Sequence, residues 1–394
     1  MDSSLYIHIP FCKRRCGYCD FVTFAGFERM IPEYIRAIEK QINLVGEGNQ
    51  IKTLYFGGGT PSLISPNVYK DVFTCIRNNF FLLPEAEITL EANPGTIDWH
   101  SLDEYRKLGF NRISFGMQSA IKNELDLLDR AHTPQELNSA VSLARDAGFA
   151  NINLDLIFGL PGQKLSDWKF SLEKALELDP EHLSLYSLII EENTPLALKI
   201  SQGTIQEPDD DLAAEEYEWS CAFLEKAGYR HYEISNWAKS SQTNDFRCKH
   251  NLQYWHLLPY YGLGCGAVGF LPRDSCRMST TSSILMENAK WIGRYIKSIN
   301  LACESREVFP FIQTVDRSYE ISTFMFMGFR LLEEGINPVD FFQRFGVPLD
   351  EIVGEKIKQL LSSNLVEISP EGHYRLTRQA WLVANRVFRE FVDE

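Results

Sequence analysis

The chain has 394 residues, 44% hydrophobic and 23% charged, with a net charge of −14 at neutral pH. That length allows more than one globular domain, and the acidic balance excludes a general nucleic-acid binder, which needs a basic face. Nine cysteines, an odd number with three clustered, exclude a plain disulfide framework and fit a reducing cytoplasm. No apolar run is long enough to span a bilayer, and Met1-Asp2-Ser3-Ser4 has neither the basic nor the apolar region of a secretory signal.

Residues 5–9 read as a short strand that runs into Pro10-Phe11-Cys12-Lys13-Arg14-Arg15-Cys16-Gly17-Tyr18-Cys19-Asp20-Phe21. This is a C-x3-C-x2-C run. A structural zinc site wants a fourth ligand that nothing nearby supplies, and a disulfide would leave one thiol over. Three thiolates suit a 4Fe–4S cube that keeps one iron open to a small ligand, so Cys12, Cys16 and Cys19 are the candidate metal ligands. Lys13, Arg14 and Arg15 would offset the cluster's negative charge. The other cysteines (Cys75, Cys221, Cys248, Cys265, Cys276 and Cys303) are scattered and read mostly as small buried apolar residues.

Helical spacing follows over 33–45, then a strand over 51–56 that stops at Gly57-Gly58-Gly59-Thr60-Pro61. A helix after Pro66, a strand over 86–91 and a helix over 102–108 continue the alternation. A repeat then appears: Lys107-Leu108-Gly109-Phe110, Asp146-Ala147-Gly148-Phe149 and Lys226-Ala227-Gly228-Tyr229 each end a helix on glycine and lead into a strand, at 112–115, 151–158 and 231–234. A helix over 166–178 and a strand over 182–190 lie between the last two. Alternating strands and helices predict a parallel sheet with right-handed crossovers, an α/β fold of the partial (β/α)6, TIM-like kind. The C-terminal strand ends, where such folds keep their chemistry, carry the cysteine loop, residues 57–60, Glu91 and Asn93, Gln118 and Ser119, Asp155, and Tyr186. Asp155 interrupts an apolar run, which fits either a functional carboxylate or an internal ion pair.

Gly264-Cys265-Gly266-Ala267-Val268-Gly269 spells G-x-G-x-x-G, but a dinucleotide fingerprint must leave a strand and open a helix; here Tyr254-Trp255 and Pro259-Tyr260-Tyr261 precede it and a proline-containing loop at Leu271-Pro272 follows, so a tight turn is expected. Residues 291–299 read as a helix and 300–314 as a connector. Beyond it come a helix over 319–332, a helix start at Asn337-Pro338, a helix over 349–361, a hairpin of 366–368 with 373–376, and a last helix capped by Thr377 and running to 391. Those elements suggest a winged-helix-like α+β domain. Residues 318–394 hold 8 Lys/Arg against 12 Asp/Glu, which favours a lid, packing or partner role over DNA. The expected divisions are 1–240 for the barrel, 241–317 for a segment packing on it, and 318–394 for the C-terminal domain.

The cysteine spacing, with Leu5-Tyr6-Ile7-His8-Ile9-Pro10-Phe11-Cys12, resembles the radical S-adenosylmethionine (SAM) superfamily, in particular its oxygen-independent coproporphyrinogen III oxidase-like branch. The likeness runs over nearly the whole chain. It implies SAM chelating the open iron, an electron donor for the cluster, and SAM contacts at Tyr6, Tyr18, Gly58, Gly59, Thr60, Glu91, Gln118, Arg130 and Asp155. The types fit: carboxylates for ribose hydroxyls, a guanidinium for a carboxylate, aromatics for adenine. Two departures speak against oxidase activity. The oxidases carry a fourth cysteine where this chain has Phe21, and a long arm ahead of the first strand, whereas Tyr6 lies near the start of this chain. His250-Asn251-Leu252-Gln253-Tyr254-Trp255 spells H-N-x-x-Y-W and is similar to the HemW-type haem chaperones of the same branch. That resemblance implies haem binding, transfer of haem to an acceptor haem protein, and His250 as a candidate haem contact. A histidine beside two aromatics also reads as a satisfied core residue. The alternative reading is oxidative decarboxylation of coproporphyrinogen III.

Overall fold

The computed structural model describes residues 2–46, 48–240, 244–272 and 283–392; Cys276 lies outside them. Twelve strands form one open sheet. In chain order they are β1 (Asp2–Ile9), β2 (Gln50–Gly58), β3 (Phe81–Ala92), β4 (Arg112–Gln118), β5 (Ile152–Phe158), β6 (His182–Ser187), β7 (Tyr229–Glu233), β8 (Asn236–Lys239), β9 (Tyr260–Leu263), β10 (Val268–Pro272), β11 (Ser283–Glu287) and β12 (Phe311–Thr314). Strands β1 to β6 are parallel neighbours in sequence order, so their C-terminal ends share one rim. Helices such as Ile31–Val45, Pro66–Asn79, Trp99–Leu108, Pro134–Asp146 and Leu165–Glu177 make the crossovers, giving a partial (β/α)6 barrel that stays open.

The strands alternate with period two, which sends successive side chains to opposite faces. Leu5, Ile7, Leu54, Phe56, Ile88, Leu90, Ile113, Phe115, Ile152, Leu154, Leu183 and Leu185 belong to the large buried apolar cluster shared with the helices. The residues between them are polar and bond to one another across the inner face. Thr53 donates to Ser4 (2.7 Å), Tyr55 to Glu91 (2.8 Å), Ser114 to Asp155 (2.9 Å) and Asn153 to Ser114 (2.7 Å). A polar interior inside an apolar jacket is therefore the rule of this barrel.

Three expectations need correction. The strand after Gly228 does not extend the parallel set. Only Ile234 and Ser235 separate β7 from β8, too short for a crossover, so the two form an antiparallel hairpin with β8 on β6. Residues 300–314 are not all connector, because β12 pairs with β11. Leu271-Pro272 closes β10 rather than forming a loop. The glycine-rich stretch does turn tightly between β9 and β10, with Gly264 and Gly266 at φ +98° and +74°. Strands β9 to β12 thus extend the sheet beyond β1.

The C-terminal region has its own apolar cluster, from Ile321 to Phe391. It is built from helices Arg317–Gly328, Pro338–Phe345 and Leu349–Ser362 and the hairpin Val366–Ile368/Tyr374–Leu376. The last helix is shorter than expected: a 3-10 turn, Arg378–Val383, precedes Ala384–Arg389. Backbone bonds from Ile234 to Arg330 (3.2 Å) and from Leu332 to Tyr232 (3.0 Å) tie this region to β7. Among the described residues no helix is long and apolar enough to cross a membrane.

Candidate cofactor site

The cysteine loop leaves β1 at Ile9 and folds over the shared rim. Cys12, Cys16 and Cys19 are free thiols, the first buried and the other two half-buried. Cys12 Sγ lies 3.7 Å from the Thr60 hydroxyl and Cys16 Sγ 3.5 Å from Arg130 Nη1. Two of the three sulfurs are thereby met by residues singled out for SAM. Burial pushes the Cys12 thiol up to about 11, against the lowering effect of Thr60. A metal would draw it to the thiolate. Arg130 is anchored on the Gly116 carbonyl (2.8 Å), and its Nε is a buried donor with no protein acceptor. A cation beside Cys16 with a spare donor fits an anionic thiolate-ligated cluster. Among the described residues no three His, Cys, Asp or Glu side chains converge on a single ion; a cube takes each thiolate on a different iron.

The glycine turn after β2 seats this loop. The Gly59 and Thr60 amides donate to Ile9 and Phe11 carbonyls, each at 2.8 Å. A Cβ on Gly59 would sit 2.7 Å from Phe11 O and 3.0 Å from Cys12 Sγ. Gly58 has φ +114°, and a Cβ there would enter the His8 ring at 2.4 Å. His8 Nε2 lies 2.8 Å from the Val22 carbonyl and so carries the proton, leaving Nδ1 to accept from Tyr6 (2.9 Å). Burial lowers the His8 pKa and keeps the ring neutral. One histidine thus ties the cysteine loop to Tyr6 beneath the turn.

Glu91 stands at the same rim. Tyr55 donates to its Oε1 and the Gly58 amide to its Oε2 (3.0 Å). Burial raises it to about 7, with Asp155 adding to the rise and Tyr55, Gly58 and Arg112 opposing it. Asp155 accepts from Ser114 and Asn153 and is likewise raised by burial. Gln118 takes a left-handed φ of +63° at the end of β4. Tyr18 packs against the small apolar cluster that includes Ile157 and Leu160, and its hydroxyl feels both Arg130 and Asp155. Tyr186 keeps 42% of its surface open; desolvation raises its pKa, and the Asp155 carboxylate adds to the rise. Asn93 and Ser119 serve local structure instead: the Asn93 amide bonds Ser62 (3.2 Å), and Ser119 bonds Glu124 and the Ile121 amide (2.9 Å).

Residues 6–175 match the model of the Radical SAM superfamily, and residues 316–383 that of the HemN C-terminal domain. The heme chaperone HemW of Bacillus subtilis (strain 168) is 35% identical over 99% of both chains, and that of Escherichia coli (strain K12) 35% over 99% of this chain and 98% of its own. The chain belongs to the HemW family. Its fold also superposes on the coproporphyrinogen III oxidase HemN of E. coli, with a TM-score of 0.82 over 99% of this chain and 90% of that one; at 22% identity this shows the fold alone.

Within that HemW frame, the H-N-x-x-Y-W segment lies at the opposite, inner end of the barrel. Helix Lys249–Trp255 starts on Glu87, which accepts from the Lys249 and His250 amides at 3.1 Å each. His250 is buried, with Nδ1 2.7 Å from Thr53 Oγ1 and Nε2 2.9 Å from Tyr254 OH. Burial drives it down to about 3, so it is neutral. Both ring nitrogens are taken, and neither is free for an iron. Arg330 stacks over Trp255 at 4.3 Å. No sequence motif singles out Tyr55, His8, Glu87 or Arg112; the signal that finds them is the alternation of polar residues along otherwise apolar strands.

Proposed function

We propose that the protein binds haem and passes it to an acceptor protein, with a 4Fe–4S cluster on Cys12, Cys16 and Cys19 and exchangeable SAM over the 57–60 turn. The observation that carries this is the full-length likeness to the curated heme chaperones. Glu91, Asp155, Gln118 and Arg130, with Tyr6 and Tyr18, are the proposed SAM contacts. When bound, the cluster supplies an electron to the SAM sulfonium; the chain's share is to place and neutralise. Arg130 and Thr60 offset thiolate charge, Glu91 and Asp155 receive hydroxyl or ammonium donors, and the Gly58–Gly59 backbone admits a ligand closely. An electron donor for the cluster belongs to the same reading.

Anaerobically reconstituted protein titrated with haem develops a shifted Soret band, and haem so bound moves to an apo haem protein on mixing. Incubated instead with coproporphyrinogen III, SAM and a reductant, it yields no protoporphyrinogen. The opposite pair of results would establish the decarboxylase, a reading weakened by Phe21 in place of a fourth cysteine.

A further inference from the structure

His250 stacks on Tyr55 with ring centroids 4.9 Å apart and planes 27° from parallel. Tyr55 in turn stacks on Tyr6, at 6.1 Å and 30°, and gives its hydroxyl to Glu91 at 2.8 Å. The imidazole is itself pinned from two sides, by Thr53 and by Tyr254. With the Thr53 hydroxyl donating to Ser4, Thr53 accepts from Nδ1–H, which leaves the Nε2 lone pair to Tyr254. Its backbone is pinned as well, through Glu87. Glu87 and Glu91 lie four residues apart on β3 and so face the same interior. A strap is thereby fastened at the middle of β3 and lays a flat ring against the tyrosine that bonds the carboxylate near its C-terminal end.

We infer that His250 is a positioning residue for the SAM-binding carboxylate Glu91, acting through Tyr55, and not an iron ligand. The inference rests on the reading above that SAM sits at the 57–60 turn. An iron could take a nitrogen of this ring only by displacing Thr53 or Tyr254, whereas support of Tyr55 needs only a flat ring in place. Ring shape and nitrogen chemistry can therefore be separated by substitution.

The test uses the full chain with its cluster reconstituted, and reads equilibrium binding of SAM and of haem. His250→Ala opens space under Tyr55 and weakens SAM about tenfold, the scale of one hydrogen bond to a charged group. His250→Phe restores the flat support and most of the SAM affinity, and leaves haem affinity at the wild-type value. Tyr55→Phe weakens SAM by a similar factor, and the His250→Ala/Tyr55→Phe double variant is no weaker than the worse single one, because both act on one contact. The pH midpoint of SAM binding moves upward in His250→Ala and Tyr55→Phe. The Tyr55 hydroxyl lowers the Glu91 pKa beside Arg112 and the Gly58 amide, while Asp155 raises it. Lost haem binding in His250→Phe, SAM affinity untouched in His250→Ala, or additive losses in the double variant would each overturn the inference. Wild-type protein that took up its cluster and haem but no SAM would instead overturn the cofactor reading, and this inference with it.

Discussion

Gly59 shows how finely the cofactor end is fitted. Its missing side chain is what lets the turn after β2 lie against Phe11, Ile9 and Cys12. Gly59→Ala forces a methyl against two carbonyls and a sulfur, so the cysteine loop must move. We expect about 1–3 kcal/mol of lost stability from this overpacking, read as a lower urea midpoint, and less iron per chain after reconstitution. A variant with normal iron content would show that the loop tolerates the shift. Cys16→Ser is the sharper change: it removes the thiol beside Arg130 and should lose iron and acid-labile sulfide together. Zinc at the three thiols of anoxically purified wild type would remove the basis for the whole cofactor assignment.

Among the elements, the short helix Lys249–Trp255 depends on a residue remote in sequence. Its first amides have no capping side chain of their own, and Glu87 supplies the acceptor. Glu87→Ala takes the acceptor from both amides and strands the buried His250 donor at about 1–3 kcal/mol. Chemical denaturation should show a loss on that scale, whereas Glu87→Gln, which keeps an acceptor oxygen, should recover part of it. Equal losses in both variants would mean that the charge, facing buried Arg112, matters more than the cap. The helix was not recognisable from its own sequence, because seven residues are too few for a periodic pattern and the capping partner lies 162 positions away for Lys249.

At the scale of the whole molecule, the C-terminal region is held to the barrel by a buried ion pair. Glu233 is fully buried, and Arg330 reaches its Oε2 at 3.5 Å while lying over Trp255. Burial raises the Glu233 pKa above its ordinary 4.5, and Arg330 opposes the rise. A carboxyl raised in the folded state favours folding below its unfolded pKa and loses that support as pH climbs through the folded value. Arg330→Ala widens the gap. It should cost about 3–5 kcal/mol where Glu233 must ionise and less in acid, so its urea midpoint falls further from wild type at pH 8 than at pH 5. Glu233→Gln added to Arg330→Ala should flatten that difference. A deficit independent of pH would point to lost packing on Trp255 instead.

Much of this protein was legible in the chain itself. The strand–helix alternation, the three thiols, the glycine turn and the strand-end carboxylates are local patterns, and local patterns report period, turn chemistry and ligand spacing. The hairpin of β7 and β8 and the extra strands β9 to β12 were not, since four- and five-residue strands carry little periodicity and their partners are chosen by the sheet edge that is free. Nor could the motif around His250 reveal its own neighbours. That the imidazole spends both nitrogens on Thr53 and Tyr254, and its face on Tyr55, was decided only when a segment nearly 200 residues downstream closed the inner end of the barrel. A side chain's type is written in the sequence, but which of its atoms remain free is settled by what the folded chain brings against it.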